Sequence, residues 1–163
     1  MGTSDRSTTH LPEGMIELST SECWQLLRQS EVGRLAISIS DHPDIFPVNY
    51  VVDGESVVFR TAAGTKLAAA VLGNAVAFEI DGYEPFSGNA WSVVLKGTAR
   101  EIEHRMEYFE AEELPLFPWN AAPKPNIVRI EPVEVTGRRF HVVEPEEIEA
   151  PPPSHTEPYM PPD

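Results

Sequence analysis

One cysteine, Cys23, in 163 residues leaves no partner for an internal disulfide. Nothing covalent braces the fold, and a reducing cytoplasm is the expected setting. Long apolar runs are also missing, so no segment is expected to span a membrane, and MGTSDRSTTH has no apolar core of signal-peptide length. Positive charge is scarce: 12 Lys and Arg face 26 Asp and Glu, for a net charge of −14. That balance argues against nucleic acid or an anionic membrane as a general partner. The deficit is uneven, because no Lys or Arg follows Arg139 while six acidic residues do. A local basic cluster therefore remains open to the first 139 residues. The five histidines, His10, His42, His104, His141 and His155, show no metal-ligand spacing, so no metal site is expected. A Walker loop, a dinucleotide fingerprint and a Ser–His–Asp signature are all absent.

What the chain does contain is short strands. Residues 1–15 are polar and read as a disordered tail. Ser19 and Glu22 form a capping-box pattern, and Cys23, Trp24, Leu26 and Leu27 give an amphipathic helix from Thr20 to Gln29 with the thiol on its apolar side. Alternation predicts strands at 35–39, 45–52, 56–61 and 75–80, with turns at Asp41–Asp44, at Asp53–Glu55 and at Asp81–Gly82. A long strand is predicted from Trp91 to Ile102, with Gly97 as a bulge. A helix over 104–113, a proline-dense loop over 115–125 and a final strand pair or one bent strand over 126–140 follow. On the same reading Glu79 and Asp81 flank a turn and face solvent. Residues 144–163 hold seven of the sixteen prolines and six of the fourteen excess negative charges, a composition that cannot order itself. The expected domain is thus 16–143: mainly β with short helices, six antiparallel strands closed into a barrel rather than an open sheet with bare edges.

Within it, Val57-Val58-Phe59 delivers Arg60 and Thr61 into Ala62-Ala63-Gly64, and then Thr65 and Lys66 open an alanine-rich helix. A strand passing through a glycine turn to a helix start presents unpaired N–H groups and a partial positive charge. With one guanidinium, one ammonium and two hydroxyls around it, this point suits a phosphate monoester.

The segments EVGRLA (31–36), FPVNYVVDG (46–54), VVFRTAAGTKLAAA (57–70), VAFEIDG (76–82), WSVVLKGTARE (91–101) and VTGRRF (135–140) together resemble the pyridoxamine 5′-phosphate oxidase-like proteins, the FMN-binding split barrels. The resemblance runs from about Leu18 to Phe140. It implies a homodimer with flavin sites in the seam between subunits. It implies that Arg60 and Thr61 bond ring or ribityl oxygens, that Lys66 with Thr65 holds the phosphate, and that Val48 and Asn49 face the ring edge. Trp91 and Ser92 fall where the family places further flavin contacts, and Arg138 or Arg139 would reach across the seam. The chain departs from the oxidase itself at Gly64-Thr65-Lys66, where one cation stands in place of two adjacent ones. No second basic cluster would seat a second phosphate, so oxidation of pyridoxamine phosphate is not the expected reaction.

Two functional readings follow. One is an FMN-dependent oxidoreductase acting on a small molecule, in which the flavin does the redox chemistry and no catalytic side chain is assigned. The other is a binding module that stores or buffers flavin, or has a regulatory role, without efficient catalysis. A deazaflavin, whose oligoglutamate tail wants a basic groove, and haem, for which only His42 and His141 offer axial ligands, are the alternative cofactors.

Overall fold

The computed structural model describes residues 14–62, 66–103, 105–116 and 126–142. Seven strands and three helices follow one another as β1 (Met15–Glu17), α1 (Thr20–Gln29), β2 (Val32–Ile39), β3 (His42–Asp53), β4 (Ser56–Thr61), α2 (Lys66–Val71), β5 (Ala75–Glu84), β6 (Asn89–Glu101), α3 (Arg105–Glu112) and β7 (Asn126–His141). Six of the strands close a ring, β7-β4-β3-β2-β5-β6 and back to β7, and every pairing is antiparallel. The six-stranded barrel expected from the sequence is therefore present. The three-residue β1 is an addition, too short to show alternation. It pairs with Arg138–Phe140 of β7, so Met15 belongs to the sheet and not to the N-terminal tail expected over 1–15.

Strand β7 explains how the barrel is split. Its first five residues pair with β4 and its last few with β1, while β6 runs along the other edge. Helix α1 plugs the gap. Ser19 caps it: Glu22 N–H donates to Ser19 Oγ at 3.2 Å, and Ser19 N–H donates to the Glu22 carboxylate at 2.8 Å. Leu18 N–H then donates to the Gly137 carbonyl at 2.9 Å. Leu18 and the Cys23 thiol lie where a side chain at residue 137 would stand, so the helix comes down directly onto the strand backbone. Burial pushes the Cys23 thiol above its ordinary value, as expected of a structural cysteine.

The barrel interior holds Trp24 and Leu27 from α1 with Leu35, Val57, Phe59, Phe78, Ile80, Val93 and Leu95 from the strands. Phe78 sits over Gly33 and meets Tyr50 edge-on, with ring centroids 4.8 Å apart. The Tyr50 hydroxyl donates to the Leu27 carbonyl at 2.7 Å, tying α1 to β3. A second apolar cluster, Val58, Ile102, Ala111 and Ile127, lies outside the barrel beneath α3. Strict alternation along β4 thus feeds two cores, Val57 and Phe59 inward and Val58 outward.

Two local expectations need correction. The β2–β3 turn is only Ser40–Asp41, both with positive φ (48° and 62°), and His42–Asp44 belong to β3. Two left-handed residues match the twist of the flanking strands, which a type I or II turn would splay. Strand β5 does not stop at Asp81–Gly82 but runs to Glu84, because Gly82 serves packing: the Trp91 indole lies over it. Glu79 and Asp81 accordingly sit inside the strand, and both accept from Arg34 Nη1 at 2.9 Å. The final segment is one strand, with the predicted bulge opposite it at Lys96–Gly97. There the Glu131 carbonyl crowds Gly97, so no side chain fits.

Candidate functional site

Strands β3 and β4 bring four of the sequence-predicted residues to one place. Tyr50 pairs with Phe59, so Asn49 and Arg60 lie one step beyond that pair, and Val48 and Thr61 one further. The pleat then divides them. Val48 and Thr61 point inward, 8% and 2% exposed, and the Thr61 hydroxyl donates to the Ala62 carbonyl at 3.1 Å. Asn49 and Arg60 are half-buried on the outer face. The polar side chains on that outer face are Asn49 and Arg60, with Val48 and Thr61 beneath them. Helix α2 begins at Lys66, where the sequence predicted a helix start. Thr65 and the Lys66 side chain lie outside the described residues.

Trp91 and Ser92 are elsewhere. They lie at the start of the pleat of β6, after Asn89 and Ala90, opposite Arg139 and Arg138 of β7. Trp91 is half-buried against the interior core, with its indole over Gly82. Ser92 points outward between Asp81 and Arg138. Arg60 pairs with Ile127, at the opposite end of β7 from Arg138. Along β7 roughly 35 Å of strand lies between Ile127 and Arg138, whereas across β2 and β5 Asn49 and Ser92 stand three strand spacings apart, about 14 Å, half-way round the six-stranded ring. A single chain does not unite all the predicted residues.

Two polar features went unread in the sequence. The first fastens α3. Glu107 accepts from Arg100 Nη2 at 2.7 Å, Arg100 Nη1 at 3.2 Å and Arg129 Nε at 3.2 Å. Arg129 also reaches Asp53 at 2.8 Å and the Ser56 hydroxyl at 2.6 Å, and Arg100 reaches Glu131 at 2.7 Å. The Arg100 guanidinium, and secondarily Arg129, hold the Glu107 carboxyl below the usual carboxylate range. The second is a cleft of about 360 Å³ on the outer face of β3, lined by Arg28, Glu31, Asn49, Val51, Pro115 and Leu116 among others. Neither feature has a local sequence signature, because the partners are distant along the chain. Among the described residues no group of three or more His, Cys, Asp or Glu could hold a metal ion, and no helix is long and apolar enough to cross a membrane.

This architecture is shared with known proteins. A Mycobacterium smegmatis structure, a FAD binding protein, superposes with a TM-score of 0.69 at 38% identity, covering 77% of this chain and 98% of that one. A Corynebacterium glutamicum structure, also 38% identical, gives 0.73 over 83% of this chain and 99% of its own. An uncharacterized Mycobacterium tuberculosis protein is 33% identical over 142 residues, 84% of this chain and 93% of that protein. The family model described as pyridoxamine 5′-phosphate oxidase matches residues 19–139, so both strand groups and the barrel that carries them lie inside the match, and the chain belongs to that family.

Proposed function

We propose that this chain binds a flavin on the outer face of β3 and β4 and works as a flavin-dependent oxidoreductase on a small molecule. The observation that carries the reading is the outward pair Asn49–Arg60 on strands that lead into the start of α2 at Lys66. That arrangement sits in a family member whose 38% identical Mycobacterium smegmatis relative is a FAD binding protein. The single cation at residue 66 suits the monophosphate of FMN, the expected cofactor, while the relative favours FAD.

The flavin would supply the redox chemistry. The protein's part is binding and electrostatics. Lys66 with Thr65 would pair with phosphate. Arg60 would place charge-assisted donors at a carbonyl edge, where negative charge gathers on reduction. Asn49 would orient that edge.

The reading includes a second copy of the chain. Asn49 and Ser92 lie half-way round the six-stranded ring from each other with both side chains outward, so within a subunit Trp91, Ser92, Arg138 and Arg139 do not share a surface with Arg60. Around that distant end Tyr83, Phe86, Ile16 and Phe140 are exposed, Phe86 completely. An exposed apolar group of this kind fits a protein contact. A homodimer that buries it would bring the second group to the first group of its partner. The single buried thiol fits a reducing compartment such as the cytoplasm, and the acidic charge fits neither nucleic acid nor membrane as partner.

The test is the absorption spectrum of the purified chain with mass identification of the released cofactor. Flavin bands are expected, and Lys66→Ala should weaken flavin binding by about 1.5–3 kcal/mol. A colourless protein that takes up neither FMN nor FAD would overturn the proposal. Reduction by NADPH in stopped flow separates an oxidoreductase from a store, and a monomeric mass at micromolar concentration would remove the shared site.

A further inference from the structure

The cleft beside Asn49 has a defined chemistry of its own. Its floor is the outer face of β3, where Val51 faces outward beside Asn49. One wall is the end of α1 and the chain after it, carrying Arg28, Ser30 and Glu31; the other is Pro115 and Leu116, just past α3. Both walls are held. Tyr50 N–H donates to the Glu31 carbonyl at 3.1 Å, and its hydroxyl fixes Leu27. On the other side Glu107 clamps α3 to Arg100 and Arg129. The volume, about 360 Å³, falls in the range of small-molecule sites, and the lining mixes apolar surface with a few polar groups.

Arg28 gives one N–H to the Gly54 carbonyl at 3.2 Å and stands 5.9 Å from the Trp24 ring centroid. A guanidinium has five donors, so others remain for a ligand. Among the described residues neither Arg28 nor Glu31 has an ion-pair partner. The cleft therefore offers a cationic donor and an anionic acceptor that do not neutralise each other. A carboxylate ligand would gain Arg28 and meet repulsion from Glu31; an ammonium ligand would do the reverse. A neutral amide edge presents a carbonyl to one and an N–H to the other.

We propose that this cleft binds a small planar molecule with a neutral carboxamide- or ureide-type edge, its carbonyl on Arg28, its N–H on Glu31 and its body between Val51 and Leu116. Because Asn49 belongs both to this cleft and to the proposed flavin face, the molecule bound here is the substrate of the flavin; that role rests on the flavin reading, whereas the ligand class does not.

The experiment titrates the full chain with benzamide, benzoate and benzylamine, following backbone amide resonances at neutral pH. Benzamide should shift the amides of Glu31, Asn49, Val51 and Leu116 saturably. Benzoate and benzylamine should bind about tenfold more weakly, since each exchanges one charge-assisted bond for a repulsion. Glu31→Gln should abolish the discrimination against benzoate, and Arg28→Gln the discrimination against benzylamine; both side chains are exposed, and amide resonances outside the cleft report whether each variant keeps the fold. Absence of saturable shifts at those amides, or equal affinity for the three probes, would overturn the proposal. The readout follows the cleft itself with or without flavin. A chain that binds no flavin but keeps the ranking retains the ligand class and loses the substrate role.

Discussion

Replacing Glu107 by Gln tests whether the ion network beneath α3 holds that helix to the barrel. The amide keeps the shape and removes the charge that three guanidinium N–H groups share. The two arms differ in shielding. The Arg100 side chain is 41% exposed, so that arm is worth about 0.5 kcal/mol after screening. The Arg129 side chain is 13% exposed and Glu107 28%, so the other arm contributes about 1 kcal/mol more. A loss of about 1–2 kcal/mol is expected in urea unfolding near neutral pH. The pH dependence carries a sign. The Glu107 carboxyl is held below its ordinary range by Arg100 and then Arg129, so its folded value lies below its unfolded one. The stabilisation is complete above the unfolded value, about 4.3, and fades as pH falls through the folded value. The difference between wild type and Glu107→Gln should therefore be constant from about pH 7 down to about pH 5 and shrink below that. A penalty that stays the same into the acid range would refute the electrostatic account and leave only a packing effect.

Other perturbations probe the joints that position the site. Tyr50→Phe removes the buried bond to the Leu27 carbonyl and leaves that acceptor without the hydroxyl; a loss of about 1–2 kcal/mol in urea unfolding is expected, and an unchanged midpoint would mean the α1–β3 tie is not stabilising. Gly82→Ala drives a methyl into the Trp91 indole, so tryptophan emission should shift to the red as the ring is displaced, with a cost of about 1–3 kcal/mol; wild-type emission and stability together would refute the stacking. Cys23, buried against Gly137 with its thiol pushed up, should resist a thiol reagent until the protein is unfolded in urea. Labelling of the native protein at the rate of a free thiol would show that α1 opens from the split.

Some of the molecule was written into short stretches of sequence. The Ser19–Glu22 capping box placed α1 at Thr20–Gln29 without error, the Asp53-Gly54-Glu55 run placed the β3–β4 turn, and Gly97 marked the bulge. These features are legible because each is decided by neighbours within a few residues: a cap bonds three residues along, and a turn fixes its own dihedrals. The strand alternation fixed which residues enter the barrel for the same reason. Gly82 misled because a glycine that frees space for Trp91 looks in sequence like one that makes a turn. Arg100, Glu107, Arg129 and Arg34 carried no local signal, since their partners come from other strands and from α3. The β3–β4 hairpin set Asn49 beside Arg60, and only the closed ring sent Trp91 and Arg138 to the far end of β7. The sequence determined the barrel and the polar residue types its strands display. The tertiary structure decided which of them share a surface, because strand register, and not spacing along the chain, sets distance in an antiparallel barrel.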